Sequence, residues 1–253
     1  PNVLQSVHMA LEKTLLELSE AVDPKILHEV LIKILNQSKS TSLTSVVCSI
    51  VLAHPDKYHE IAMILFRTIE LFNIDTVRQT NESQVKLLNS IGYGIDKTTD
   101  ILYTDERIKT IEDKHRNLNL ESLFLNYQLL GVKGFNEDQN IEFIGKLHDI
   151  IDQYKSNDLT SKTYGILLAR MDRRNLTPKI SEREDNSFIV EFSPKELPEE
   201  LKKESELASS QFDEMFKYSS LRTWSDFLRS NDSDYKSPKH EEYNNNPLLA
   251  LAE

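Results

Sequence analysis

The sequence predicts a mainly α-helical fold of stacked helical hairpins, solenoid-like or an irregular bundle, with one small β-hairpin near residues 179–192. Apolar residues recur at three- and four-residue spacing along most of the 253-residue chain, which is the pattern of amphipathic helices. The six glycines and eight prolines are too few for a fold rich in tight turns. The only good hairpin candidate is formed by residues 179–181 and 188–192, which flank the polar loop 182–187; the second run alternates apolar with polar residues or is β-branched.

Residues 1–72 are predicted to form four helices paired as helical hairpins. Asp23 is expected to cap the second helix and Pro24 to occupy its first turn, where a missing N–H costs nothing. Residues 44–53 carry no charge, so we expect a central helix buried on most sides; a strand is the alternative because of the valines. Asp56 is predicted to cap a fourth helix whose apolar stripe runs to Phe72.

Residues 73–175 are predicted to form a second helical unit. The periodicity weakens from 73 to 119, which favours a connection with short helices. It returns at 120–130 and at 141–154, separated by a turn at 131–134, and a further helix is predicted at 160–173. We find no consistent repeat of 34 or 40 residues, so an irregular repeat and a compact bundle both remain open.

Residues 176–230 are predicted to contain the β-hairpin followed by a long charged helix that Pro198 opens. A two-stranded hairpin is marginal alone, so it should lean on a helix. Residues 231–253 are predicted to be a polar linker and the start of a truncated helix. Because the chain starts without methionine and stops on that new helix, we expect it to be a piece of a longer protein.

Composition restricts the partners. The net charge of −11 repels nucleic acid phosphates, which disfavours a nucleic-acid partner. No apolar stretch approaches the roughly 20 residues that cross a bilayer, and no signal-type segment is present, so we expect a cytoplasmic protein without a membrane partner. The single cysteine, Cys48, is expected to be a buried small hydrophobe.

The sequence predicts no catalytic, cofactor-binding or metal-binding residues. It has no Walker loop, dinucleotide fingerprint or Gly-x-Ser-x-Gly element, and Gly92-Tyr93-Gly94 is too short a match. The seven histidines are scattered without zinc-ligand spacing; His54 and His59 are the nearest pair. We therefore expect no enzyme. The alternative is a stand-alone enzyme whose acidic and histidine residues form an unrecognised site.

The densest basic spot is the candidate partner contact, formed by Arg170, Arg173 and Arg174 with Lys179 nearby. The favoured interpretation is structural, since cations at a helix C-terminus complement the helix dipole. The functional alternative is a contact with phosphate or with an acidic partner.

Three stretches together resemble a known family: 44–55 (TSVVCSIVLAHP), 167–179 (LLARMDRRNLTPK) and 218–224 (YSSLRTW). In order and spacing they are similar to a helical region of very large bacterial STAND-type ATPases of antiphage defence. Those proteins join an effector and an ATPase to a long helical array that senses viral proteins and drives oligomerisation. Because this chain lacks the ATPase motifs, the resemblance implies a piece of the helical portion and carries over no catalytic residue. The implied partner is a protein or other domains of the parent chain.

Overall fold

The computed structural model describes residues 3–90, 113–182 and 188–195, together with positions 110, 197, 199, 201–203, 206, 207 and 210. The chain divides into two compact units, Pro1–Lys195 and Glu196–Glu253. In the second unit, positions 199, 201–203, 206, 207 and 210 are helical, within the predicted charged helix. The predicted linker and last helix at 231–253 lie outside the described residues.

The mainly helical fold with one small β-hairpin is confirmed in the described part of the chain. Its α-helices are α1 Val3–Ala21, α2 Pro24–Gln37, α3 Thr41–Ala53, α4 His59–Leu65, α5 Ile69–Ser90, α6 Leu120–Leu130, α7 Glu137–Ser156, α8 Asp158–Thr163 and α9 Gly165–Met171. Two 3-10 turns, Lys114–Asn117 and Arg173–Asn175, precede α6 and the hairpin. The strands are β1 Leu176–Glu182 and β2 Phe188–Pro194. None of the described helices is long and apolar enough to cross a membrane.

Helix α3 is the central helix of the N-terminal half, as predicted. Every residue from 46 to 52 is buried, and the helix packs against α1, α2, α4 and α6. The alternative strand is wrong. The predicted start of α2 is also confirmed, because the Asp23 carboxylate accepts a hydrogen bond from the Lys25 amide at 2.9 Å and Pro24 is the first helical residue.

The fourth helix does not run unbroken to Phe72, so that prediction is wrong. The amides of Arg67 and Thr68 bond to carbonyls three residues earlier, which tightens the chain into a turn between α4 and α5. In one continuous helix Phe66 and Phe72 would point about 120° apart. The turn brings both rings into the core, stacked with centroids 5.8 Å apart.

Asp56 does not cap the fourth helix either. Its carboxylate instead accepts a hydrogen bond from the Lys133 amide at 2.9 Å, and Tyr58 precedes α4 without a side-chain cap. The aspartate therefore joins two distant turns of the chain.

The largest difference from the prediction is that α5 continues through Ser90, where a connection was expected. Its residues 73–82 are mostly polar and lack the apolar stripe of a packed helix. Charged side chains hold this part of α5 to its neighbours, through contacts described below.

The helices predicted at 120–130 and 141–154 are present as α6 and α7. The helix predicted at 160–173 is wrong as one element, because Tyr164 ends α8 and begins α9. Helix α8 buries no residue, whereas α9 buries Leu167, Leu168 and Met171. The break lets the apolar half turn into the core independently of the polar half.

The hairpin is confirmed as an antiparallel pair in which Leu176 lies opposite Pro194 and Glu182 opposite Phe188. Its connecting loop, 183–187, lies outside the described residues. Strand β2 packs against α9, which supplies the helical support that a two-stranded hairpin needs.

Candidate interaction surface

The three arginines of the basic spot lie at one corner of the first unit, where α9 meets the second 3-10 turn. Arg170, in the last turn of α9, donates to the Glu121 carboxylate of α6 at 2.8 Å. Arg173 donates a side-chain hydrogen bond to the backbone carbonyl of Gln128, and its amide donates to the Gln128 side chain at 3.1 Å. Both arginines thus fasten the end of α9 to α6.

Arg174 bridges two carboxylates from different parts of the chain. Its side chain donates to Asp152 of α7 at 3.0 Å and to Asp172 at 2.9 Å, while Lys155 donates to Asp172 at 2.6 Å. Burial alone would raise the pKa of Asp172, but the hydrogen bonds from Arg174 and Lys155 outweigh it and lower that pKa to about 2. The two carboxylates in turn raise the pKa of Arg174.

Lys179 does not join the arginines. It lies in β1, exposed, and opposite Glu191 of β2. The structural interpretation of the arginines agrees with these contacts, and their role as partner contacts stays a prediction.

The hairpin carries an exposed apolar face. Side chains alternate across a strand, so Pro178 and Ile180 of β1 share one face with their partners Phe192 and Val190 of β2. We call these four residues the hairpin face. Ile180 is 67% exposed, Val190 48% and Phe192 38%. The alternation in 188–192 predicted the strand, but nothing in the sequence indicated that its apolar side would face solvent.

A second group of charges holds α5 to the start of α6 and to the residues just before it. Asp75 accepts hydrogen bonds from the Leu120 amide and from Arg78, each at 2.7 Å. Arg78 also donates to the Leu118 carbonyl at 2.6 Å and to Glu82 at 2.7 Å. These contacts fix the polar side of α5 against the segment that leads into α6.

Arg116 extends that group to α1. It donates to Glu82 of α5 at 3.0 Å and to Glu12 of α1 at 3.1 Å. Burial alone would raise the pKa of Glu12, but His115, Arg116 and Ser49 together lower it to about 2. Sequence reasoning missed this network because its members are up to 104 residues apart.

In the part of the chain that the structure describes, histidine and glutamate side chains approach within 4 Å at three separate places. His54 lies 3.3 Å from Glu20, His115 3.6 Å from Glu12, and His28 3.8 Å from Glu60. Burial and then Lys57 lower the pKa of His54. Among the described residues, no group of three or more His, Cys, Asp or Glu could hold a metal ion.

Cys48 is buried in α3, and burial raises the pKa of its thiol, so it packs as the small hydrophobe that was predicted.

No protein-family model matches the chain, and no curated protein matches it in sequence. The functional interpretation therefore depends on the geometry above and on the sequence resemblance.

Proposed function

We propose that this chain is a non-catalytic, cytoplasmic helical interaction module of a larger bacterial STAND-type ATPase-like defence protein. The hairpin face is its contact element toward a protein partner or other domains of the parent chain. The observation that carries the proposal is the exposure of Ile180, Val190 and Phe192 together on one small sheet.

The arrangement of these residues separates them from ordinary surface hydrophobes. Single exposed apolar side chains are normal and need no explanation. Leu159 of α8, for example, is 76% exposed. The hairpin face instead places two cross-strand apolar pairs side by side, Ile180 with Val190 and Pro178 with Phe192. Contiguous apolar area of this kind is costly in water and favours a partner.

The support beneath the hairpin suits a contact element. Arg173 and Arg174, which directly precede β1, are hydrogen-bonded to Gln128, Asp152 and Asp172. At the same base of the hairpin, where β2 ends, the Lys195 amide donates to the Asn175 carbonyl at 2.7 Å. A surface held on an ordered base loses little conformational entropy on binding.

The experiment compares two surface variants of the parent protein. The double variant Ile180→Asp, Val190→Asp places charges on the hairpin face, and Leu159→Asp is the control at a single apolar site of α8 that is even more exposed. We expect both to keep the helical circular dichroism spectrum and melting temperature. Only the hairpin variant should lose the parent's assembly in mass photometry or its protection of bacterial cells against phage. Retention of both properties by the hairpin variant would refute the proposal.

A further inference from the structure

One backbone contact fixes which residue pairs of the hairpin are hydrogen-bonded to each other. The Lys195 amide donates to the Asn175 carbonyl at 2.7 Å, one step beyond the Leu176–Pro194 pair. Hydrogen-bonded and non-hydrogen-bonded pairs alternate along an antiparallel ladder. Thr177–Ser193 and Lys179–Glu191 are therefore hydrogen-bonded pairs. The even-numbered residues between them direct their amides away from the hairpin, toward its two outer edges.

The two outer edges are not equivalent, because proline interrupts one of them. Pro178 stands at an outward position in the middle of β1, so that edge lacks a donor where an added strand would need one. On β2 the only proline is Pro194, at the very end of the strand. On the outer edge of β2, the outward positions Phe188, Val190 and Phe192 thus all carry an amide as well as a carbonyl.

We propose that β2 pairs antiparallel with β2 of a second copy of this chain, across a twofold axis at Val190, to form a four-stranded sheet. The proposal rests on the proposed function of the hairpin as a contact element. A twofold contact is the commonest way in which identical chains associate. Pairing also gives the hairpin the additional strands that a two-stranded sheet needs for independent stability.

The twofold axis could pass through any of several residues of β2, and the positions of Glu191 and Pro194 favour Val190. An axis at Glu191 would set that carboxylate against its own copy, and like charges directly opposite are destabilising. An axis at Phe192 would put Val190 opposite Pro194, which cannot donate. Strand β2 begins at Phe188, so an axis at Ile189 pairs only its first three residues with the second copy, whereas the axis at Val190 pairs its first five.

In the selected register each Glu191 lies opposite Ile189 of the second copy and keeps Lys179 of its own hairpin as cross-strand neighbour. The negative charges of the two copies are thereby separated, although the chain as a whole carries a net charge of −11. Phe188 lies opposite Phe192 of the second copy. Five paired residues on each copy are few, because a standard interface of about 1,600 Å² involves roughly 20–30 residues on each side. The association should therefore be weak and concentration-dependent.

A disulfide trap tests the pairing in the full 253-residue chain. The twofold axis brings position 190 of both copies to a Cα separation of about 5.5 Å, which a disulfide can bridge. We expect Val190→Cys to form a covalent dimer of doubled mass under mild oxidation. The matched control is Ile180→Cys, which is on the same face and more exposed but belongs to the strand whose edge Pro178 blocks. It should stay largely monomeric.

A third variant tests the backbone contacts themselves. Adding Phe192→Pro to Val190→Cys removes an outward amide but no hydrogen bond within the hairpin, so the covalent dimer should be lost while the circular dichroism spectrum is kept. The pairing is overturned if Val190→Cys dimerises no more than Ile180→Cys, or if Phe192→Pro leaves the dimer intact. If the trap fails while Ile180→Asp, Val190→Asp still abolishes the parent's assembly, the proposed function stands and its partner is another protein or domain.

Discussion

Replacing Arg116 with alanine tests whether charges hold α1 and α5 together. Its side chain is only 17% exposed and lies 3.1 Å from Glu12 and 3.0 Å from Glu82. Alanine leaves the Glu12 carboxylate, which is only 12% exposed, without this cation, and removing the partner of a largely buried charge is strongly destabilising. Fully buried pairs cost about 3–5 kcal/mol when broken. Because Glu82 is partly exposed and His115 stays near Glu12, we expect a loss of about 2–4 kcal/mol in the free energy of unfolding.

The assay is urea denaturation followed by circular dichroism, which gives the unfolding free energy from the midpoint and slope. The matched control is Lys146→Ala. Lys146 also contacts a carboxylate, Glu142, at 2.6 Å, but it is 57% exposed. Exposed pairs contribute little, so the control should unfold like the unmodified chain. If Arg116→Ala cost no more than Lys146→Ala, the network could not be what joins the two helices.

Three further results are expected. Burial raises the pKa of Glu12, but His115, Arg116 and Ser49 lower it by more. The pKa in the folded chain is therefore about 2, against the usual 4.5. Its contribution, about 3 kcal/mol, is therefore present above pH 4.5 and lost as the pH falls toward 2; unfolding titrations should show Glu12→Gln lacking that part of the acid-side loss. Leu52→Ala, 2% exposed in the core, should lower the unfolding free energy by about 2–5 kcal/mol, and an unchanged melting curve would show that α3 is not central. Gly131 and Gly134 both have positive φ, where alanine costs about 1–2 kcal/mol, but a Cβ at Gly131 would also lie 2.5 Å from Asn140 Oδ1. Thermal melts should therefore rank Gly131→Ala as the more damaging, and the reverse order would refute the clash.

The sequence could predict the elements that apolar residues hold in place. A helix packed by one stripe repeats its apolar residues every three or four positions, so α1, α2, α6 and α7 were recognised from spacing alone. The buried helix α3 was recognised by its lack of charge. The start of α2 was recognised because Asp23 and Pro24 act on their immediate neighbours. All of these signals are local in the chain.

The sequence could not predict elements that distant polar contacts hold in place. Residues 73–82 of α5 are mostly polar, so their spacing resembled a connection. They are fixed instead by Asp75 and Arg78, whose partners Leu120 and Leu118 lie 45 and 40 residues further along the chain. A polar helix that is held by distant contacts has the same composition as a solvent-exposed helix. Only the folded structure distinguishes these two kinds of helix.

The contacts of the basic spot were also hidden from the sequence, because their partners lie in other parts of the chain. These contacts are the reason why we propose the hairpin face, and not the basic spot, as the contact surface. Within the basic spot, Arg174 joins two carboxylates that come from different parts of the chain, as Arg116 does elsewhere in the fold. A partner that bound Arg174 through an acidic group would have to displace Asp152 or Asp172, and so would lose contacts already made within the fold. Binding at the hairpin face removes exposed Ile180 and Val190 side chains from water and breaks no internal hydrogen bond. The cost of binding thus favours the apolar strand pair over the cations beside it.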